Sequence, residues 1–190
     1  MEYQKYIPEK AIPFVAFLIN EHNFSLKIVN QRHTKHGDFK QLSSDTFQIT
    51  VNNNLNKLQF LLTLIHEIAH YVTHQKFGRV QPHGKHWKAV FQHLMLPFLH
   101  PEIYPKEVLP HLANYLKNPK ASTDTDINLS LALKGNVAKK GSHFIFELQH
   151  DCLFLYKNKR YKKGSKRRTR FECIQLQNKK VYSFHHNTEV

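Results

Sequence analysis

Two histidines four residues apart enclose a glutamate in His66-Glu67-Ile68-Ala69-His70. On a helix this spacing turns both imidazoles to one face, where they can share a single cation, and imidazole suits zinc. Glu67 stands about 100° around the helix from His66, so it can reach a water activated by that cation without taking a coordination position. The chemistry on offer is hydrolysis with a carboxylate as general base. A pattern with three fixed residues also arises by chance, and histidines on helix surfaces are usually only solvated. The context weighs against both: Leu61-Leu62-Thr63-Leu64-Ile65 runs directly into the motif, and ionisable groups in so apolar a helix are costly to bury without a metal or partners.

A catalytic zinc needs a third protein ligand and one open position. His74 lies eight residues beyond His66, roughly 12 Å along a helix axis, too far to join the pair on one ion. Lys76 occupies the place of a metzincin's third histidine, which excludes that class. His83 is the first choice: Gly78 can end the helix, Arg79 to Pro82 can turn the chain back, and Gly84 permits close backbone approach. His86 is nearby but falls in the first turn of the following helix. Glu102, far downstream, is a further candidate.

The elements that must position these residues follow from periodicity. Leu55 to Phe77 reads as one long helix, with Leu58, Leu61, Leu62, Ile65, Ile68, Ala69 and Val72 forming a wide apolar stripe. Lys85 to Leu96 carries Trp87, Val90, Phe91, Leu94 and Met95 at helical spacing and is expected to pack against it. Upstream, Pro8 to Asn20 places Ile12, Val15, Ala16 and Ile19 on one side of a helix. Phe24 to Asn30 and Thr46 to Val51 alternate as strands with one buried face. A turn is expected between them at His36-Gly37-Asp38, and Asn52-Asn53-Asn54 can stop the second strand and cap a helix. Pro97, Pro101, Pro105 and Pro110 are expected to break up regular structure, leaving Tyr104 and Leu112 to tie an irregular segment to the core. Between about Asn118 and Lys140 the composition turns polar, as in a linker or exposed loop. Beyond it, His143 to Leu148, Leu153 to Tyr156, Thr169 to Leu176 and Val181 to Phe184 read as short strands.

Composition sets the bounds. A chain of 190 residues, 41% hydrophobic and 12% aromatic, can bury one real core and carry a small appendage. Its formal charge of +14 attracts polyanions, nucleic acid first among them. Two cysteines, Cys152 and Cys173, cannot make a disulfide framework, and no stretch orders its residues as a signal peptide does. The longest apolar stretches fall far below the ~18 residues that span a bilayer. A cytoplasmic protein with no membrane anchor is expected; its oligomeric state is not legible.

The segment Leu64-Ile65-His66-Glu67-Ile68-Ala69-His70, followed by Phe77-Gly78-Arg79-Val80-Gln81-Pro82-His83-Gly84-Lys85-His86-Trp87-Lys88, resembles the SprT family, bacterial relatives of the Spartan protease. The second half is the specific part, since the glutamate-bearing histidine pair alone occurs in many zinc peptidases. The resemblance covers about residues 8 to 115. It implies His83 as third ligand and substrates that are proteins associated with DNA, including DNA-crosslinked ones. The corresponding fold class is α+β: a compact zincin-like metallopeptidase domain at 1–118, a linker or exposed loop at 119–140, and a small β-rich appendage at 141–190.

Many SprT-like proteins end in a zinc ribbon with four metal-binding cysteines, whereas this tail has only Cys152 and Cys173. The expectation is a ribbon-like hairpin held by aromatics in place of metal. Lys157, Lys159, Arg160, Lys162, Lys163, Lys166, Arg167, Arg168 and Arg170 put nine cations into fourteen residues without an acid. Such a cluster can contact phosphates along DNA, with Tyr156 and Tyr161 available to stack on unpaired bases. The leading reading is therefore a zinc peptidase with Glu67 as general base, acting on protein substrates and directed to DNA by its tail. The rival is a non-enzymatic nucleic-acid-binding factor whose histidine site only staples the fold.

Overall fold

In the computed structural model, which describes residues 2–32, 34–135, 142–168 and 170–190, short 3-10 turns at Glu2–Tyr6 and Glu9–Ala11 lead into helix α1, Ile12–Glu21. Pro13 sits in the first turn of α1, where its missing N–H costs nothing. Ala11, Val15 and Leu18 are the buried positions. Strand β1 is Ser25–Val29, and β3, Phe47–Asn52, runs parallel to it with Phe47, Ile49 and Val51 buried. Between them in sequence lies β2, Gly37–Gln41, antiparallel to β3, so the sheet order is β1-β3-β2 and β2 is an edge. The turn expected at His36-Gly37-Asp38 is thus the start of a strand. Gly37 to Gln41 lack β-branched residues, and the strand exists because β3 offers it a register.

Helix α2 spans Lys57–Phe77, and its N-cap is Asn56 rather than the triplet before it. The Asn56 side chain accepts from Gln59 N at 3.0 Å and the Gln59 side chain accepts from Asn56 N at 3.4 Å, a reciprocal capping box. Its end comes at Gly78, whose φ of 66° lies in the left-handed region that favours glycine. Helix α3, Lys85–Met95, follows and buries Trp87, Phe91 and Met95. The proline-rich stretch holds a 3-10 turn at Leu96–Phe98 and then a further helix, α4, Leu109–Lys117, which the sequence reading missed. Pro110 does not break α4 because it occupies the first turn.

The chain divides into two units, Met1–Ala121 and Ser122–Val190. Part of the expected linker or exposed loop at 119–140 is ordered: helix α5 occupies Ile127–Leu133 and buries Leu129, Ala132 and Leu133. Its polar run supplies caps. Ser122 accepts from Asp124 N, and Asp126 accepts from Leu129 N at 3.0 Å. Residues 136–140 of that segment lie outside the described residues.

The second unit continues as an antiparallel meander, β4 Leu153–Tyr156, β5 Lys159–Arg167, β6 Arg170–Gln175 and β7 Val181–His185. The strand expected from His143 to Leu148 reduces to a single bridge between Phe144 and Glu189. The one expected from Thr169 begins, among described residues, at Arg170. Its core is Ile145, Phe154, Tyr161, Phe171, Cys173 and Phe184. No helix among the described residues is long and apolar enough to cross a membrane.

Candidate metal centre

Helix α2 carries His66 and His70 on one face, one turn apart. His83 returns from the loop after Gly78 with a φ of 57°, a left-handed conformation uncommon for a residue with a side chain. Gly84 lets this loop close, since a Cβ there would meet the Gln81 carbonyl oxygen at 3.0 Å. The three Nε2 atoms form a triangle: 3.1 Å from His66 to His83, 3.2 Å from His70 to His66 and 2.9 Å from His70 to His83. Ligand nitrogens around a tetrahedral zinc, at ~2.0–2.1 Å from the ion, stand about 3.3 Å apart. The donor set therefore fits zinc to within a few tenths of an ångström, and these residues could hold a metal ion.

Electrostatics favour the ligand form. Burial lowers His66 well below its ordinary pKa, with the neighbouring histidines adding to the effect. Burial and His83 bring His70 down to about 4, and burial lowers His83 as well. Neutral imidazoles present lone pairs in place of a third unwanted charge. Trp87, four residues after His83 and 1% exposed, lies against all three rings, with centroids 4.6 Å from His66, 5.3 Å from His70 and 4.7 Å from His83. From the sequence, Trp87 reads as a core position of the following helix and as part of the segment that resembles the SprT family; its place one turn beyond His83 was the available signal for the contact with the imidazoles.

Glu67 is 7% exposed. Burial first, then the nearby Asp38, push its carboxyl up to about 8, against the opposing pull of Arg32, the Phe39 backbone N–H and Lys35. A cation on the three imidazoles would lower it again, because opposite charge favours the carboxylate. The other ligand candidates stand elsewhere. His86 packs on Phe77 at 4.3 Å. Glu102 is exposed beside Lys10 and His100, at 4.0 and 3.7 Å. His74 packs against Phe39 and Phe47.

The basic residues of the second unit do not form one hairpin tip. They fill β5 and the turns at both its ends, a length of roughly 30 Å at ~3.3 Å per residue. Lys157, Lys159, Arg160, Lys166, Arg167, Arg168 and Arg170 are exposed. Lys162 pairs with Asp151 at 2.9 Å, and Arg167 with Glu172 at 3.4 Å. Lys163 is the exception, 5% exposed. Its ammonium donates to the Leu148 carbonyl and sits 4.2 Å from the centre of the Phe171 ring. Pleating explains this: Lys163 shares the inward face with Tyr161, so it is corrected from a phosphate-contact candidate to a core residue. Tyr161 is buried too, against Phe154 and Phe184, and is not free to stack on bases.

Comparison with known proteins covers the same stretch of chain. The SprT-like family matches residues 14–106, which include every member of the histidine cluster. Protein SprT of Vibrio atlanticus (strain LGP32) is 63% identical over 27 residues, 14% of this chain and 16% of the relative. Protein SprT of Vibrio parahaemolyticus serotype O3:K6 is 50% identical over 38 residues, 20% and 23% of the two chains. Protein SprT of Yersinia enterocolitica serotype O:8 is 37% identical over 54 residues, 26% and 32%. The matched segments thus span from 16% to 32% of these relatives' own length. No solved structure matches significantly. Residues 14–106, where the histidine triangle lies, match the SprT-like family.

Proposed function

We propose that the protein is a zinc-dependent peptidase, with His66, His70 and His83 as ligands and Glu67 as general base, in a zincin-like arrangement of one long motif helix on a small sheet. The observation that carries this reading is the convergence of three Nε2 atoms at 2.9–3.2 Å next in sequence to a buried carboxylate. Zinc bound there would supply a Lewis acid for the scissile carbonyl and lower the pKa of the attacking water. Glu67 takes the proton of that water and passes it to the leaving amine nitrogen. Burial raises the Glu67 pKa in the metal-free site, and a cation on the imidazoles would oppose that rise and favour the carboxylate that accepts the proton. Trp87 and the α2 backbone keep the imidazoles oriented. A structural site usually closes with four protein ligands. Among the described residues three donors gather here, the count of a catalytic site, which favours the enzyme over a factor stapled by metal.

The substrates in this reading are proteins bound or crosslinked to DNA, reached through the exposed cations along β5 and its turns. Such cations gain affinity by releasing counterions from phosphates. We place the protein in the cytoplasm, where Cys152 and Cys173 would remain the free thiols they are here. The experiment is hydrolysis of unfolded casein by the zinc-loaded chain, with and without DNA. No cleavage by a chain that holds one zinc removes the peptidase, and cleavage indifferent to DNA removes the DNA-directed substrate.

A further inference from the structure

Glu67 is held from two sides, and helix α2 is only one of them. Opposite it stands Gly37, the first residue of the edge strand β2. A Cβ built on Gly37 would lie 2.6 Å from Glu67 Oε1, 2.7 Å from Glu67 Cγ and 2.8 Å from Thr63 Cγ2. These separations are shorter than non-bonded carbon and oxygen atoms tolerate. Rotating the carboxylate tip would relieve the first, but the Cγ and the Thr63 methyl lie nearer the helix backbone and cannot swing aside as easily. The adjoining main chain is also a partner, since the Phe39 backbone N–H donates to the Glu67 carboxylate.

The position of this strand is itself fixed by a buried polar residue. Asn52, 0% exposed at the end of β3, donates its side-chain amide to the Lys35 carbonyl at 2.8 Å and accepts from Arg32 Nε at 2.8 Å. Its backbone N–H donates to the His36 carbonyl at 2.9 Å. Arg32 reaches Thr50 Oγ1 at 3.0 Å, and Lys35 pairs with Asp38 at 3.0 Å. The segment entering β2 is therefore tied to β3 immediately before Gly37. Register continues the tie, with Gly37 opposite Val51 and Phe39 opposite Ile49.

We propose that Gly37 is a positioning residue for Glu67: its missing side chain provides the space the carboxylate occupies, and Asn52 holds the Gly37–Phe39 main chain against it. This rests on the reading of Glu67 as the general base, but the packing claim can be tested apart from it. An edge strand with any side chain at this point would push the carboxylate out of the orientation in which Phe39 N–H and the helix hold it. A displaced general base loses proton-transfer geometry while the three imidazoles, on other residues, keep their donor set.

Two measurements test this. In the first, Gly37→Ala is loaded with zinc and assayed on unfolded casein. We expect one zinc per chain as in the parent, KM within about twofold, and kcat lower by roughly tenfold or more. In the second, the unfolding midpoint of the metal-free chain is measured for Gly37→Ala, Glu67→Ala and the double variant. Overpacking alone is expected to lower the midpoint by roughly 3–8 °C. In the Glu67→Ala background at least half of that loss should disappear, because the shortened side chain vacates the space. Should Gly37→Ala fail to fold, the double variant is expected to fold, and its misfolding would overturn the proposal. So would a Gly37→Ala chain with the parent kcat, or a stability penalty equal in both backgrounds. The reading of Glu67 as base fails by a different sign, an active Glu67→Gln, and leaves the stability cycle intact.

Discussion

His66 and His83 are seventeen residues apart in sequence, and their Nε2 atoms end 3.1 Å from one another. Lys157 and Arg168 are closer in sequence, yet the nine-residue strand β5 separates them. The first region uses a helix and a returning loop to bring its polar groups to one point. The second extends its charges along a pleated strand, which sends alternate side chains to opposite faces and turns Lys163 into the core. A run of like residues is therefore a poor guide to a site in a strand, whereas the spacing of residues in a helix is a good one. Chemistry that needs several donors on one atom is served here by a helix and a returning loop, and a phosphate backbone can follow the extended arrangement.

The strongest way to break this comparison is at the point of convergence. His66→Ala, His70→Ala and His83→Ala are each expected to reduce bound zinc from one per chain to a small fraction and to abolish hydrolysis, while His86→Ala and Glu102→Ala retain both. Metal analysis beside a casein assay reads this directly, and full zinc in His83→Ala would mean that the triangle is not the site. Next in size, Glu67→Gln should keep its zinc and lose about 100-fold or more in turnover, since the amide preserves shape but accepts no proton.

The extended region should respond in smaller steps. Removing Lys166 and Arg168 together is expected to weaken DNA binding and reduce the slope of log affinity against log salt by about 1 to 2, because each lost phosphate contact forgoes one released counterion. Lys163→Ala should do the reverse: little change in the salt slope, and a lower unfolding midpoint through loss of the bond to Leu148 and the contact with Phe171. Equal salt slopes for both variants would dissolve the distinction between the two faces of β5.

A last and smallest effect concerns pH. In the metal-free protein, His66, His70 and His83 titrate below their ordinary value of 6.5, so the unfolded chain takes up protons first as pH falls. The contribution of these three histidines should be full above about pH 6.5 and be lost toward pH 4, the value to which His70 is lowered, while Glu67, raised to about 8, contributes the opposite slope between about 4.5 and 8. Urea unfolding across that range checks it. The decline should shrink in the triple His→Ala variant, and persistence of the whole effect there would assign it to other groups.

Helix α2 was legible to within two residues at its start, because twenty-one residues of strong periodicity and a terminal glycine leave few alternatives. The preference for His83 rested on a loop able to turn the chain back and on the resemblance to the SprT family, and the structure brings His66, His70 and His83 together. By contrast β2, α4 and α5 were missed. Gly37–Gln41 has no intrinsic strand preference, Pro110 signals a break unless its place in a first turn is known, and the caps of α5 look like a polar loop. The basic stretch was legible as charge but not as a strand, because lysine and arginine carry little periodic signal of their own.

The sequence by itself determined the histidine pair, the glutamate between them and the basic field, since helical spacing and net charge are local or additive properties. Only the tertiary structure decided that His83 closes the triangle, that Trp87 lies against it, that Gly37 leaves room for Glu67 and that Lys163 faces inward. Each of these depends on where two segments distant in sequence meet. That meeting is set by strand register and by the burial of side chains on both partners, and neither is encoded in either segment alone.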